Sequence, residues 1–194
     1  MVGYMEFAFL LERAEVLKNF PRTGWLQRGI PISECETVAE HTYEVMSIII
    51  AIAMVMRTRL SNEKMLLMGA IHDWPEGITS DIPRNYADKI GRGLKGKIEL
   101  DIMSDLSSKA EVQYLGKLFE EYLARETQES IVVKAADVLA TLRVARQYSK
   151  RGYDVADLID GCERELEEAI PRINDKALQL LLRSLGGVEK RQAP

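Results

Sequence analysis

The sequence predicts an all-α protein folded as a single compact helical bundle, and three observations carry that prediction. Apolar residues recur at i, i+3, i+4 and i+7 through most of the 194 residues, the spacing of one helix face. No stretch shows the strict alternation of a half-buried strand. The apolar fraction of 46% is enough to build one sizeable core without dividing a chain of this length in two.

The first helix is expected over Glu6 to Asn19, where Pro21 and Gly24 stop it. Glu6, Glu12, Arg13 and Glu15 lie among its apolar residues, unlike the basic-then-apolar order of a secretory signal, so a cytoplasmic location is expected. Gly29 and Pro31 punctuate the loop that follows. A long helix is expected over Val38 to Arg57, because Thr37-Val38-Ala39-Glu40 has the form of a capping box. Its most apolar run, Met46 to Met56, has the length of a core helix and is followed by Arg57 and Arg59, so no membrane is expected. Further helices are predicted over Asn62 to Asp73, Gly96 to Leu106, Lys109 to Arg125, Ser130 to Lys150 and Val155 to Leu185. Pro75 with Gly77 and the Gly91, Gly93, Gly96 stretch separate them, and Ile170-Pro171 kinks or splits the last. Residues 186–194 read as a frayed tail.

A formal charge of −4 with both signs interspersed argues against a surface for a nucleic-acid polymer, while a small anion can still meet a local basic pocket. The two cysteines, Cys35 and Cys162, form neither a disulfide framework nor a zinc motif and read as reduced structural residues.

Chemistry is concentrated at the two histidines of the chain, each beside an acid: Glu40-His41 and His72-Asp73, the latter followed by Glu76. His41, Val45, Ile48 and Ile52 share one stripe, as do Met65, Met68, Gly69 and His72, so both imidazoles point inward. Asp137 shares a face with Val133, Ala140, Thr141 and Val144. A buried carboxylate needs a partner, which Lys134, Arg143 or a cation can supply. A lone inward histidine is more often a hydrogen-bonded core residue than a ligand. One divalent ion nevertheless satisfies His41, His72, Asp73 and Asp137 together.

That order of residues resembles the H…HD…D signature of the HD-domain superfamily. A wider set of blocks, Pro21-Arg22-Thr23-Gly24-Trp25 with Arg28, Thr37-Val38-Ala39-Glu40-His41, His72-Asp73-Trp74-Pro75-Glu76 leading to Asp81-Ile82-Pro83, and Lys134-Ala135-Ala136-Asp137, is similar to the HD-domain 5′-deoxynucleotidases. The blocks lie within residues 17–146. The resemblance implies an all-α HD-domain bundle, assembled as a homodimer, that releases phosphate from deoxyribonucleoside 5′-monophosphates with a divalent metal ion. Residue by residue, it implies His41, His72, Asp73 and Asp137 as metal ligands and Glu76 as the catalytic carboxylate with Asp81 as partner acid. Arg22 orients phosphate, with Arg28 as a competing choice. The resemblance likewise implies Trp25, which packs substrate, with Asp81, Ile82 and Arg84 as substrate-binding residues.

Two imidazoles and two carboxylates accept Co, Mn, Ni, Zn, Cu or Fe. In some relatives Glu76, Asp81 and the backbone of Ile82 would hold an additional hard ion such as Mg. Which of Glu76 and Asp81 is acid or base stays open, and so do two other readings: a different HD nucleotide phosphohydrolase or phosphodiesterase, and a catalytically silent metal-containing nucleotide sensor. The basic segment containing Arg84, Lys89, Arg92, Lys95 and Lys97 reads as a solvated loop or a mobile cover. Trp74-Pro75 departs from the smaller residues common inside the family motif, which bears on pocket width.

Overall fold

A computed structural model describes residues 3–188. It is all-helical among those residues, apart from one isolated antiparallel bridge between Pro21 and Thr37. The helices are α1 (Tyr4–Val16), α2 (Thr23–Leu26), α3 (Val38–Val55), α4 (Asn62–Ile71), α5 (Glu76–Thr79), α6 (Arg84–Ile90), α7 (Arg92–Lys109), α8 (Gln113–Ala124), α9 (Gln128–Lys150), α10 (Ala156–Ala169) and α11 (Lys176–Gly186). Short 3-10 turns follow α1 at Leu17–Asn19 and α10 at Ile170–Arg172.

The chain divides into two compact units. One comprises residues up to Tyr43 with Ala70–Ala124, the other Glu44–Gly69 with residues from Arg125 onward. In the first, α7 packs on α8 and on α6, and α5 packs on α1. Met103, Leu106, Leu118 and Phe119 are buried there. Gly77 permits the close approach of α5, since a β-carbon in its place would lie 2.8 Å from Val16 Cγ1.

In the second unit α9 packs along α10 and α11. It is buried on most of its faces, with Val132, Val133, Ala136, Ala140 and Leu142 all inaccessible, as expected for a core helix. Gly69 lets α4 pack close to α3, since a β-carbon there would lie 2.6 Å from Ile49 Cδ1.

The capping box forms as the sequence predicts. Thr37 N–H donates to Glu40 Oε2 at 2.7 Å and Glu40 N–H donates to Thr37 Oγ1 at 3.2 Å. The inward stripe of α3 differs by one position: Ile49, rather than Ile48, joins His41, Val45 and Ile52 in full burial. By length and composition α3 is long and apolar enough to cross a membrane. It nevertheless begins with Glu40, His41 and Glu44, and its inner stripe is core.

The basic segment after the motif is helical, forming α6 and the start of α7. Glycines at 91, 93 and 96 hide this from a propensity reading. Pro171 splits the last predicted helix, and Asp175 restarts the chain by accepting from the N–H groups of Ala177 and Leu178. The first residues of the predicted tail are ordered, not frayed. Gly186 ends α11, Gly187 caps it in the left-handed region (φ 62°), and Val188 is buried; residues 189–194 lie outside the described residues.

Candidate metal and phosphate site

The capping box starts α3 one turn before His41 and directs that side chain into the interior of the first unit, where it is fully buried. α4 ends at Ile71, and His72 and Asp73 lie in the turn before Pro75. The Nε2 atoms of both histidines approach Asp73 Oδ2, His72 at 3.1 Å and His41 at 3.8 Å. The two imidazoles meet edge-on with centroids 5.4 Å apart, and Tyr122 packs edge-on against His72 at 5.9 Å. One donor atom from each of His41, His72 and Asp73 falls within 4.8 Å of the others. Two buried imidazoles and a carboxylate converging in this way are the donor chemistry of a borderline divalent cation, so the residues fit such an ion.

Asp137 belongs to the second unit, on α9, and is 8% exposed. Of the two protein partners open to it, Lys134 takes the role: its Nζ donates to Asp137 Oδ2 at 2.7 Å and lies 3.2 Å from Glu165 Oε1. Arg143 pairs instead with Glu44 at 2.7 Å.

Glu76 opens α5 and is 5% exposed, which removes ordinary helix-end solvation as its explanation. Its Oε2 is buried without a hydrogen-bond partner. Burial pushes this carboxyl well above the usual range, and the neighbouring charges of Asp73 and Asp81 add to the effect, while Lys95 and Arg22 oppose it. Arg22, Asp73, Asp81 and Lys95 thus share one electrostatic neighbourhood around this carboxylate. Lys95 forms a short ion pair with Glu99 and lies 4.0 Å from Glu76 Oε1. Burial alone lowers the Lys95 ammonium, but Glu99 and Glu76 outweigh it and hold it above its ordinary value.

The carboxylate of Asp81 braces the loop that carries Arg22. Its Oδ2 accepts from Thr23 N–H at 2.5 Å and from Thr23 Oγ1 at 2.6 Å, and Thr23 Oγ1 also contacts Asp81 O at 2.9 Å. The turn into Asp81 passes through Ser80 at φ 60°, ψ 169°, a region that favours glycine and costs a side chain about 1–3 kcal/mol. Ile82 and Arg84 follow on the partly exposed stretch that leads into α6.

The Arg22 segment is fixed at both ends by backbone bonds, Arg22 N–H to Glu36 O at 2.9 Å and Val38 N–H to Phe20 O at 2.8 Å. Arg28 directs Nη1 to Gly24 O at 2.7 Å and so stiffens the loop. Trp25 does not present the open stacking face expected for substrate packing. The short helix α2 tucks the indole inward to 2% exposure, and its Nε1 donates to Glu36 Oε2 at 3.0 Å, as a buried indole requires.

Sequence reasoning assigned no role to Thr23, Glu36, Lys95 as a buried partner, or Tyr122. Glu36 stands immediately before the capping box, and that acidic position five residues ahead of His41 is the signal that marks it.

The chain, all-helical among the described residues and carrying this His-His-Asp cluster, matches the HD-domain family model over residues 14–174. The chain belongs to the HD-domain family. It is similar to 5′-deoxynucleotidase HDDC2 of Mus musculus, 30% identical over 136 residues that cover 68% of this chain and 64% of the relative. The HDDC2 protein of Danio rerio is 28% identical over 137 residues, covering 69% and 65%. The chain thus spans just under two thirds of the length of these curated relatives. Among solved structures, PH0347 of Pyrococcus horikoshii superposes with TM-score 0.75 at 30% identity, covering 94% of this chain and 99% of that one. A conserved hypothetical protein of Pyrococcus furiosus gives TM-score 0.76 at 29% identity, covering 92% and 98%.

Proposed function

We propose that this protein is a metal-dependent 5′-deoxynucleotidase that releases phosphate from deoxyribonucleoside 5′-monophosphates. The observation that carries the reading is the convergence of His41, His72 and Asp73 within 4.8 Å, with the buried Glu76 carboxyl beside Asp73. The names of the HDDC2 relatives support the substrate class. Asp137 is the proposed fourth ligand, and the resident ion is one of Co, Mn, Ni, Zn, Cu or Fe. An additional Mg would take oxygens of Glu76, Asp81 and Ile82. When bound, the divalent cation supplies Lewis acidity toward the phosphoryl group and acidifies water near neutral pH.

The chain's own groups divide the remaining work. Arg22 forks onto phosphoryl oxygens and holds the group in line. Glu76, whose carboxyl is pushed upward by burial and by Asp73 and Asp81 in the ion-free protein, exchanges a proton with the attacking water or the departing 5′-oxygen. Asp81 keeps Arg22 in place through Thr23. Trp25 acts on substrate only indirectly, by holding the loop.

The protein is further proposed to be a cytoplasmic homodimer with neither a membrane nor a nucleic-acid polymer as partner, forming one HD domain whose family match runs through both units. The test is phosphate release from deoxy- and ribonucleoside 5′-monophosphates, using metal-stripped protein and single-ion add-back. Metal-dependent release from the deoxy series is expected. Tight metal binding with no release for any ion would overturn the 5′-deoxynucleotidase reading and leave another HD-domain phosphohydrolase or a silent sensor.

A further inference from the structure

We propose that Glu36 is the positioning carboxylate for His41, fixing the ring so that Nε2 faces the metal cluster. The inference rests on the metal reading of His41, His72 and Asp73. Glu36 lies on no helix, yet its side chain is 8% exposed. A carboxylate so enclosed on a loop requires compensating partners. Its two oxygens are divided between different jobs. Oε2 accepts from Trp25 Nε1 at 3.0 Å and lies 4.0 Å from Arg22 Nη1. Oε1 lies 4.0 Å from His41 Nδ1, within ion-pair reach though longer than a direct hydrogen bond.

The two nitrogens of His41 therefore look in opposite directions, Nδ1 toward Glu36 and Nε2 toward Asp73 at 3.8 Å. A carboxylate behind a ligating imidazole places the proton on the far nitrogen and leaves the near one its lone pair, which raises ligand basicity and fixes the ring plane. Trp25 and Arg22 clamp the other oxygen, so the carboxylate is itself held in position. The backbone of Glu36 is fixed too, because its carbonyl accepts from Arg22 N–H at 2.9 Å. One residue thus links the loop bearing the phosphate-binding arginine to a metal-binding imidazole. This gives the buried indole of Trp25 a purpose that substrate stacking does not.

The test is Glu36→Gln in the full chain, read by the affinity of metal-stripped protein for Co(II) and Mn(II) and by the tautomer of His41. The chain has only two histidines, so long-range proton–nitrogen spectra of the imidazoles are assigned with a single His72→Asn variant. The wild type is expected to hold His41 with its proton on Nδ1. Glu36→Gln should mix the tautomers and weaken ion binding about 10-fold. Gly186→Ala, which crowds Leu166 with a β-carbon 3.0 Å away and touches neither Glu36 nor its partners, should leave ion affinity unchanged and so separates positioning from general loss of stability. Should Glu36→Gln fail to fold, Glu36→Asp retains the charge with a shorter reach and is expected to lie between the two. Wild-type ion affinity and an unmixed Nδ1–H tautomer in the Gln variant would overturn the proposal. If wild-type protein bound neither ion, the metal reading would fall, and the tautomer alone would decide whether Glu36 orients His41.

Discussion

Replacing Glu76 by Gln should make the metal-free protein more stable at neutral pH while abolishing turnover. The wild-type carboxyl is 5% exposed, has one buried oxygen without a hydrogen-bond partner, and faces the charges of Asp73 and Asp81. Because its folded-state pKa lies above the unfolded value, its contribution is fully present at pH below about 4.5, where both states are protonated. That contribution is lost as pH rises through the folded-state pKa, since the unfolded chain releases the proton first. Gln keeps the shape and carries no charge, so its advantage should be near zero at pH 4 and grow toward pH 8. A buried polar group left unsatisfied costs about 1–3 kcal/mol, and more when charged. For a chain of this size each kcal/mol moves the melting temperature by about 2–4 °C. The assay is thermal or urea unfolding of chelator-treated wild type and variant across that pH range, with phosphate release measured on the metal-loaded forms. A stability difference that stays flat or shrinks as pH rises would refute the account of Glu76. Adding a divalent ion should narrow the difference, because a cation beside Asp73 compensates the buried charge.

Further outcomes follow from individual contacts. Thr23→Val removes the hydroxyl from Asp81 and should cost about 1–2 kcal/mol in urea unfolding, with KM for nucleotide rising more than kcat falls because Arg22 loses its brace. Gly69→Ala drives a β-carbon to 2.6 Å from Ile49 Cδ1. Overpacking of about 1–3 kcal/mol should outweigh the gain of about 1 kcal/mol in helix propensity, lowering the melting temperature. The Cys35 thiol is pushed up to about 11 by burial and by the neighbouring Glu36, so at pH 8 folded protein should leave it unlabelled by iodoacetamide over the time in which urea-unfolded protein reacts fully; equal labelling rates would contradict its placement.

The fold was legible because burial in a helical protein is written in its periodicity. The stripe through His41 and Val45 and the one through Met65, Met68 and His72 predicted which way both imidazoles face, and both are buried. The capping box at Thr37 located the start of α3 for a local reason, since both of its bonds join residues three apart. What stayed hidden depended on tertiary partners. α6 and the start of α7 were obscured by three glycines whose low helix propensity was overridden by packing. Trp25 beside Arg22 reads as an exposed recognition pair until Glu36 is seen to accept its indole proton. Asp81 looks like a free catalytic acid until Thr23, 58 residues away in sequence, takes its carboxylate oxygen. No pattern within a single element encodes such pairings.

The same distinction explains where the site is costly and where it is supported. Glu76 is enclosed beside two other acids, and Ser80 adopts a backbone conformation better suited to glycine. Both are unfavourable in isolation and lie within the ten residues that connect His72 to Asp81. The compensating contacts come from elsewhere in the first unit: Thr23 on Asp81, Lys95 near Glu76, and Tyr122 against His72. A segment that only had to fold would not need a buried carboxylate with one oxygen left without a hydrogen-bond partner. Its position beside a histidine–aspartate pair and a braced arginine is what the proposed phosphoryl-transfer site would require, where rate comes from fixed charges held against their own repulsion. Relieving that repulsion should therefore stabilise the protein and silence it together.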